Sequence, residues 1–147
     1  MFSSLLTSLL PSYFVNIVEE PEQNLFPDAQ IQMFYSLLSY RNLNEDNKLI
    51  VTTHSPYLLN AATLAVASKG VYDKENMSST TREELESIVP EAASIAPDQL
   101  RIYKTDTKGT ISLLEDIDGI PSDENYLNDI LGNFNDDFSR ILELGDE

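Results

Sequence analysis

Three residues stand where chemistry is possible. Glu19 and Glu20 close the apolar run that starts at Tyr13, and His54 follows the apolar run that starts at Lys48. A carboxylate at the carboxyl edge of a parallel strand faces the crevice in which open α/β sheets hold their ligands. Magnesium takes hard oxygen ligands and keeps several waters, so one acid there can hold it directly or through water. A second, adjacent acid can orient a water for attack on a terminal phosphate. His54 is the only histidine in the chain. Thr52, Thr53 and Ser55 surround it with hydroxyls, and a helix starting at Ser55 would aim its amides and the positive end of its dipole at a phosphate oxygen. Each site also has a plainer reading. The acids can be a strand ending in a charged turn, and a lone histidine can be a surface or capping residue.

The elements around these residues decide between the readings. Tyr13–Val18 and Lys48–Thr52 are continuous apolar, β-branched runs, which suits buried parallel strands better than exposed antiparallel ones. Between them Pro27-Asp28 opens a helix with Ile31, Phe34, Tyr35 and Leu38 on one face. Ser55-Pro56 places a hydroxyl N-cap before proline at the first helical position. The helix that follows carries Leu58, Leu59, Ala62, Ala65 and Val66 and stops near Gly70. Strand, helix, strand and helix in this order mean parallel strands with right-handed crossovers. Further along, 71–79 reads as a loop and 81–89 as a short helix. Leu100–Lys104 and Thr110–Leu114 flank a turn through Asp106 to Gly109 and form a hairpin. A polar loop spans 115–124. A last helix, 126–144, carries Leu127, Ile130, Leu131, Phe134, Phe138, Ile141 and Leu142 on one stripe, with an acidic opposite face, and is expected to pack on a sheet. Residues 3–10 read as a helix broken at Pro11.

The segment Val18-Glu19-Glu20-Pro21-Glu22-x-x-Leu25-x-Pro27, then a helix, an apolar strand and Thr52-Thr53-His54-Ser55-Pro56-x-Leu58-Leu59, resembles bacterial ABC/SMC-like AAA-family ATPases, the kind related to RecF-like and OLD-type proteins. The resemblance covers about residues 4–70. It implies an α/β fold: a partial P-loop NTPase core with parallel strands and crossover helices, followed by a C-terminal hairpin and helix. It divides the chain into 1–70, which carries the motifs, and 71–147, an acidic extension of the same domain. Glu19 matches the Walker B acid beside magnesium and Glu20 the catalytic glutamate. Pro21–Pro27, with Pro21, Glu22, Asn24 and Leu25, matches the D-loop at an ATP-bridged dimer interface. His54, with Ser55 beside it, matches the switch histidine that reaches the γ-phosphate. Phe26 stands where the family often has histidine. Implied cofactors are ATP and Mg2+, and the implied partner is a second copy or a P-loop-bearing polypeptide.

One part of that machinery is missing from the sequence. A P-loop needs Gly-x-x-x-x-Gly-Lys-Ser/Thr to cradle phosphates. No glycine here precedes a lysine, and the first glycine is Gly70. The glycine-containing ABC signature is missing too, with Phe2-Ser3-Ser4-Leu5-Leu6 as a stub of the helix that follows it. The chain alone is therefore expected neither to bind ATP tightly nor to hydrolyse it. Alternatives are a non-catalytic interaction or vestigial protein that keeps the sheet, and a reading frame whose P-loop is encoded upstream of Met1. The resemblance implies a P-loop strand between the His54 strand and Leu100–Lys104, and its loss is expected to leave an unpaired edge or a gap.

Composition narrows the classes further. The chain has 147 residues, 41% hydrophobic, with a net charge of −16. Such acidity opposes contact with nucleic acid or anionic membrane. Residues 115–147 hold eleven acids against one base, Arg140, which reads as a solvated face. With no cysteine there is no disulfide and no thiolate metal site, which fits a reducing cytoplasm. The apolar stretch from Leu5 to Val18 is too short and too interrupted to span a bilayer. Asp116-x-Asp118-Gly119 has the opening of a calcium loop, but Ile120 occupies the next ligand position, so it reads as a solvated turn.

Overall fold

The computed structural model describes residues 13–121 and 125–145. The helix expected at 3–10 lies outside them. Its central unit is strand β1 (Val15–Glu19), helix α1 (Pro27–Arg41), strand β2 (Lys48–Thr52) and helix α2 (Pro56–Tyr72). The strands pair in parallel, Val15 opposite Lys48 through Glu19 opposite Thr52. The ladder is extended at both ends, by Lys48 N–H to the Phe14 carbonyl at 2.9 Å and Glu20 N–H to the Thr52 carbonyl at 2.8 Å. The crossover is locked from below by Asn47. This buried side chain accepts from Phe14 N–H at 3.1 Å and donates to the Tyr40 carbonyl at 3.4 Å, tying the entry of β1 to the end of α1.

Pro27 starts α1, as expected from its fixed φ and missing N–H. Ser55 caps α2 by accepting from Tyr57 N–H, with Pro56 at the first helical position. Phe34, Tyr35 and Leu38 of α1 pack against Leu58, Ala61, Ala62, Ala65 and Val66 of α2. The alanines let the two helices approach closely. Helix α3 (Ser79–Ile88) follows, then 3-10 turns at Glu91–Ala93 and Pro97–Gln99. Val89, Ala93 and Ile95 complete the same core, so the chain beyond residue 70 is built into it. Asn42 fastens this segment to the end of α1 by donating to the carbonyls of Ala92 and Ser94 at 2.8 and 2.9 Å.

Two hairpins come next. Strands β3 (Tyr103–Thr105) and β4 (Ile111–Leu113) pair antiparallel across the expected turn. Asp106 closes that turn by accepting from the amides of Lys108 and Thr110, both at 2.8 Å. Strands β5 (Asp116–Ile117) and β6 (Ile120–Pro121) form a second hairpin where the sequence reads as a loop. Asp118 and Gly119 both have positive φ, 55° and 79°, the signature of a tight Asp-Gly turn. Helix α4 (Tyr126–Gly145) closes the chain, capped by Asn125 on the amides of Leu127 and Asn128.

Three expectations change in the structure. First, β1 and β2 are not buried between layers. Leu49 and Val51 face the α1–α2 core, but Ile17 and Ile50, opposite one another, are 64% and 50% exposed on the other face. Parallel sheets are ordinarily covered on both faces. Here, among the described residues, the helices of the core cover one face. Second, β3 pairs with β4 and not with the parallel sheet, which is two-stranded among the described residues. Leu100 and Ile102 pack on the core from the loop side instead. Third, α4 does not lie on a sheet. Phe134, Phe138, Ile141, Leu142 and Leu144 are exposed.

Candidate functional site

Both strand ends bend into turns on the same edge of the sheet, because β1 and β2 are parallel and in register to Glu19 and Thr52. Glu20, the first residue past β1, takes a left-handed φ of 42°. That conformation is unfavourable for a side chain other than glycine, asparagine or aspartate, and it turns the carboxylate out of the strand direction. The turn is held by Gln23 N–H to the Glu20 carbonyl and Leu25 N–H to the Glu22 carbonyl, each 3.1 Å. Asn24 is also left-handed, φ 62°.

The Glu20 carboxylate has partners on both oxygens. Oε1 lies 3.3 Å from Nε2 of His54, and Oε2 accepts from the Gln23 side-chain amide. The His54 side chain is otherwise 85% exposed. Glu19 stands exposed at the strand end, opposite Thr52. Thus the structure brings Glu20 and His54 into contact and leaves Glu19 facing solvent beside them.

The link between the two turns is Glu22. Its Oε1 accepts from the Thr53 hydroxyl at 2.6 Å and from the His54 amide at 3.0 Å. Its Oε2 is buried without a protein partner among the described residues. Burial pushes this carboxyl up. The hydrogen bonds from the Thr53 hydroxyl, its own amide and the His54 amide, together with the His54 charge, outweigh burial and hold it below the ordinary carboxylate value. Ser55 is buried and fully engaged. It accepts from Tyr57 N–H at 3.2 Å, donates to Oε1 of Gln30 at 2.6 Å, and its amide donates to the Thr53 hydroxyl at 2.9 Å. Gln30 in turn donates to the Leu25 carbonyl at 2.9 Å. Pro21 is half-buried in the turn, while Phe26 is exposed.

Gln30 and Gln23 are the members that sequence reasoning missed, whereas Thr53 is among the hydroxyls expected around His54. Gln30 lies in the first turn of α1, and only its distance from Ser55 in the fold gives it a role. A metal cluster of three or more ligating side chains is not present among the described residues. The arrangement offers one outward carboxylate (Glu19), one carboxylate paired with an exposed imidazole, and the N-terminus of α2. The amides of His54, Ser55 and Tyr57 at that N-terminus donate to Glu22, Thr53 and Ser55, so the groups this edge exposes are the His54 imidazole and the Glu19 carboxylate.

These residues lie at the carboxyl ends of two parallel strands, the place where open α/β sheets hold their ligands. Residues 11–59 match the family model of the AAA ATPase domain. The matched stretch contains β1, α1, β2 and the start of α2, and so every residue of the site described above. It relates this part of the chain to AAA-family ATPases, which use ATP and a metal ion generally. No curated protein and no solved structure matches the chain. Among the described residues, no helix is long and apolar enough to cross a membrane.

Proposed function

We propose that this chain carries the hydrolytic side of an ATP site, as the C-terminal part of an ABC/SMC-like AAA ATPase. Residues 1–70 bear the motifs, and 71–147 extend the same domain. The observation that carries the reading is the contact of Glu20 with His54, 3.3 Å apart across the ends of two parallel strands. Glu20 orients the attacking water, and His54 reaches the γ-phosphate. Glu19, whose carboxylate is exposed at the strand end, fits the hard-oxygen donor that magnesium needs. When bound with the nucleotide, that ion would offset phosphate charge. The turn Pro21–Leu25 faces a second copy or a P-loop-bearing partner with its exposed Asn24 and Leu25, while Glu22 turns inward to Thr53 and His54.

Because the sequence holds no Gly-x-x-x-x-Gly-Lys-Ser/Thr, the isolated chain has nothing to cradle the triphosphate. Titration calorimetry of the isolated chain with Mg-ATP is expected to detect no micromolar binding. Adding a P-loop-bearing polypeptide is expected to restore hydrolysis, and Glu20→Gln to lower the restored rate by about 10²–10⁴-fold. Micromolar binding by the isolated chain, or restored hydrolysis indifferent to Glu20→Gln, would overturn the reading. A second reading, a non-catalytic interaction protein, draws on the bare apolar face of β1 and β2. It predicts no hydrolysis with any P-loop partner.

A further inference from the structure

We infer that Gln30 is a positioning residue for His54, acting through Ser55. The inference rests on the reading of His54 as the group that reaches the γ-phosphate. The imidazole itself is barely held. It is 85% exposed, and Glu20 Oε1 at 3.3 Å is the partner the structure gives it. A side chain so exposed takes its place from its backbone and not from packing around it. Whatever fixes the backbone of residues 53–55 therefore fixes where the imidazole stands.

Glu22 holds one side of that backbone, through the Thr53 hydroxyl and the His54 amide. The other side ends at Ser55, which is buried and opens α2. Capping α2 needs only a lone pair of the Ser55 hydroxyl, which accepts from Tyr57 N–H at 3.2 Å. The hydroxyl proton is left over, and a buried donor without an acceptor is costly. Gln30 takes it. Oε1 of its side chain lies 2.6 Å from the Ser55 oxygen, across 25 residues of chain.

The Gln30 amide is oriented from its far end. Its Nε2 donates to the Leu25 carbonyl at 2.9 Å, so its oxygen is the end that faces Ser55. Reversal would set that oxygen against the Leu25 carbonyl, acceptor against acceptor. Gln30 stands in the first turn of α1, which Pro27 starts. The link thus carries the position of α1 to the residue beside His54. With Glu22 on one side and Gln30 on the other, the backbone of residue 54 is held against rotation. The consequence is geometric. Displacing a reacting group by about 1 Å can cost on the order of 10²-fold in rate.

The test is proton NMR of the full chain without nucleotide or magnesium. His54 is the only histidine in the chain, so its ring protons are unambiguous. Nuclear Overhauser contacts between that ring and the Glu20 side chain report the distance across the pair and fall steeply with it. Gln30→Met keeps the size of the side chain and loses both hydrogen bonds. It is expected to weaken those contacts about threefold, as a displacement of roughly 1 Å gives. Gln30→Glu keeps an oxygen for the Ser55 hydroxyl and loses the donor to Leu25, and is expected to retain most of the natural intensity. Asn42→Ala removes two side-chain hydrogen bonds at the other end of α1 and is expected to leave the contacts unchanged. Far-UV circular dichroism checks that the helices persist. Should Gln30→Met lose them, Gln30→Asn, too short to span Ser55 and Leu25, is read by the same criterion.

Contacts that Gln30→Met leaves at natural strength overturn the inference. An equal loss in Asn42→Ala overturns it too, since Gln30 would then be a general support of the fold. So does an equal loss in Gln30→Glu, because the link would then not run through Ser55. With no nucleotide present, these outcomes bear on Gln30 alone. Failure of the ATP-site reading shows separately, in the titration with Mg-ATP and the Glu20→Gln comparison.

Discussion

At the residue scale, Glu22 is the group whose role changed most. Family resemblance places it on a loop facing a partner, but its carboxylate turns inward and holds the Thr53 hydroxyl and the His54 amide. It thereby fixes the backbone of the residue whose imidazole meets Glu20. Glu22→Ala is expected to raise amide hydrogen exchange at His54 and Ser55. The expected loss of stability is about 1–2 kcal/mol, the low end for hydrogen bonds to a charged, half-buried group. Unchanged exchange at both amides would refute the role. The pH dependence follows from the lowered pKa. A carboxyl held below its ordinary value contributes stability above that value, and the contribution is lost as pH falls through the lowered folded value. Thermal melts below the ordinary value of 4.5 should therefore show a shallower acid decline in Glu22→Gln than in the natural protein.

Elements explain why one hairpin was legible and another was not. Asp106-Thr107-Lys108-Gly109 sits between two apolar runs, so the first hairpin shows in sequence. The second has strands of two residues each, too short for any alternation to register. Its signal was the Asp118-Gly119 pair alone. Gly119 is doubly constrained: φ is 79°, and an added Cβ would come within 2.3 Å of Pro97 Cβ. Gly109 shares the φ but has open space around it. Gly119→Ala is expected to cost about 2–4 kcal/mol, combining the left-handed penalty with overpacking, and Gly109→Ala about 1–2 kcal/mol from backbone strain alone. Equal denaturant midpoints for the two variants would count against the Pro97 contact. The strand ends illustrate the opposite case. Apolar runs bounded by polar residues, a Pro27 start and a Ser55-Pro56 cap are local signals, and the corresponding strands and helices stand within a few residues of where they were expected.

Across the whole molecule, one buried hydroxyl ties α2 to the segment that follows α3. Tyr72 lies 2.7 Å from the Val89 carbonyl and 3.1 Å from the Glu86 carboxylate, which share its one proton. Arg82 sits over its ring at 5.6 Å. Burial, and then the Glu86 hydrogen bond and charge, push the phenol up to about 12. A folded value above the unfolded one of 10.0 means that the native state keeps a proton the unfolded chain has released. The contribution is complete below pH 10 and is lost as pH rises toward 12. Melting temperatures of the natural protein should fall more steeply over that window than those of Tyr72→Phe. Parallel slopes would refute the assignment.

Local chemistry in the sequence determined the strand–helix–strand–helix order, the caps and the presence of acids and a histidine at two strand ends. It did so because periodicity and capping act over a few neighbouring residues. The tertiary structure decided everything that depends on residues far apart in the chain. Glu22 meets His54, and Gln30 meets Ser55, only once the two parallel strands are in register. The same apolar alternation in β1 and β2 is compatible with a buried or a bare sheet face, and which one results depends on where the helices settle. Likewise the stripe on α4 reads in sequence as a helix to be covered, and only packing shows that this chain's core leaves it exposed.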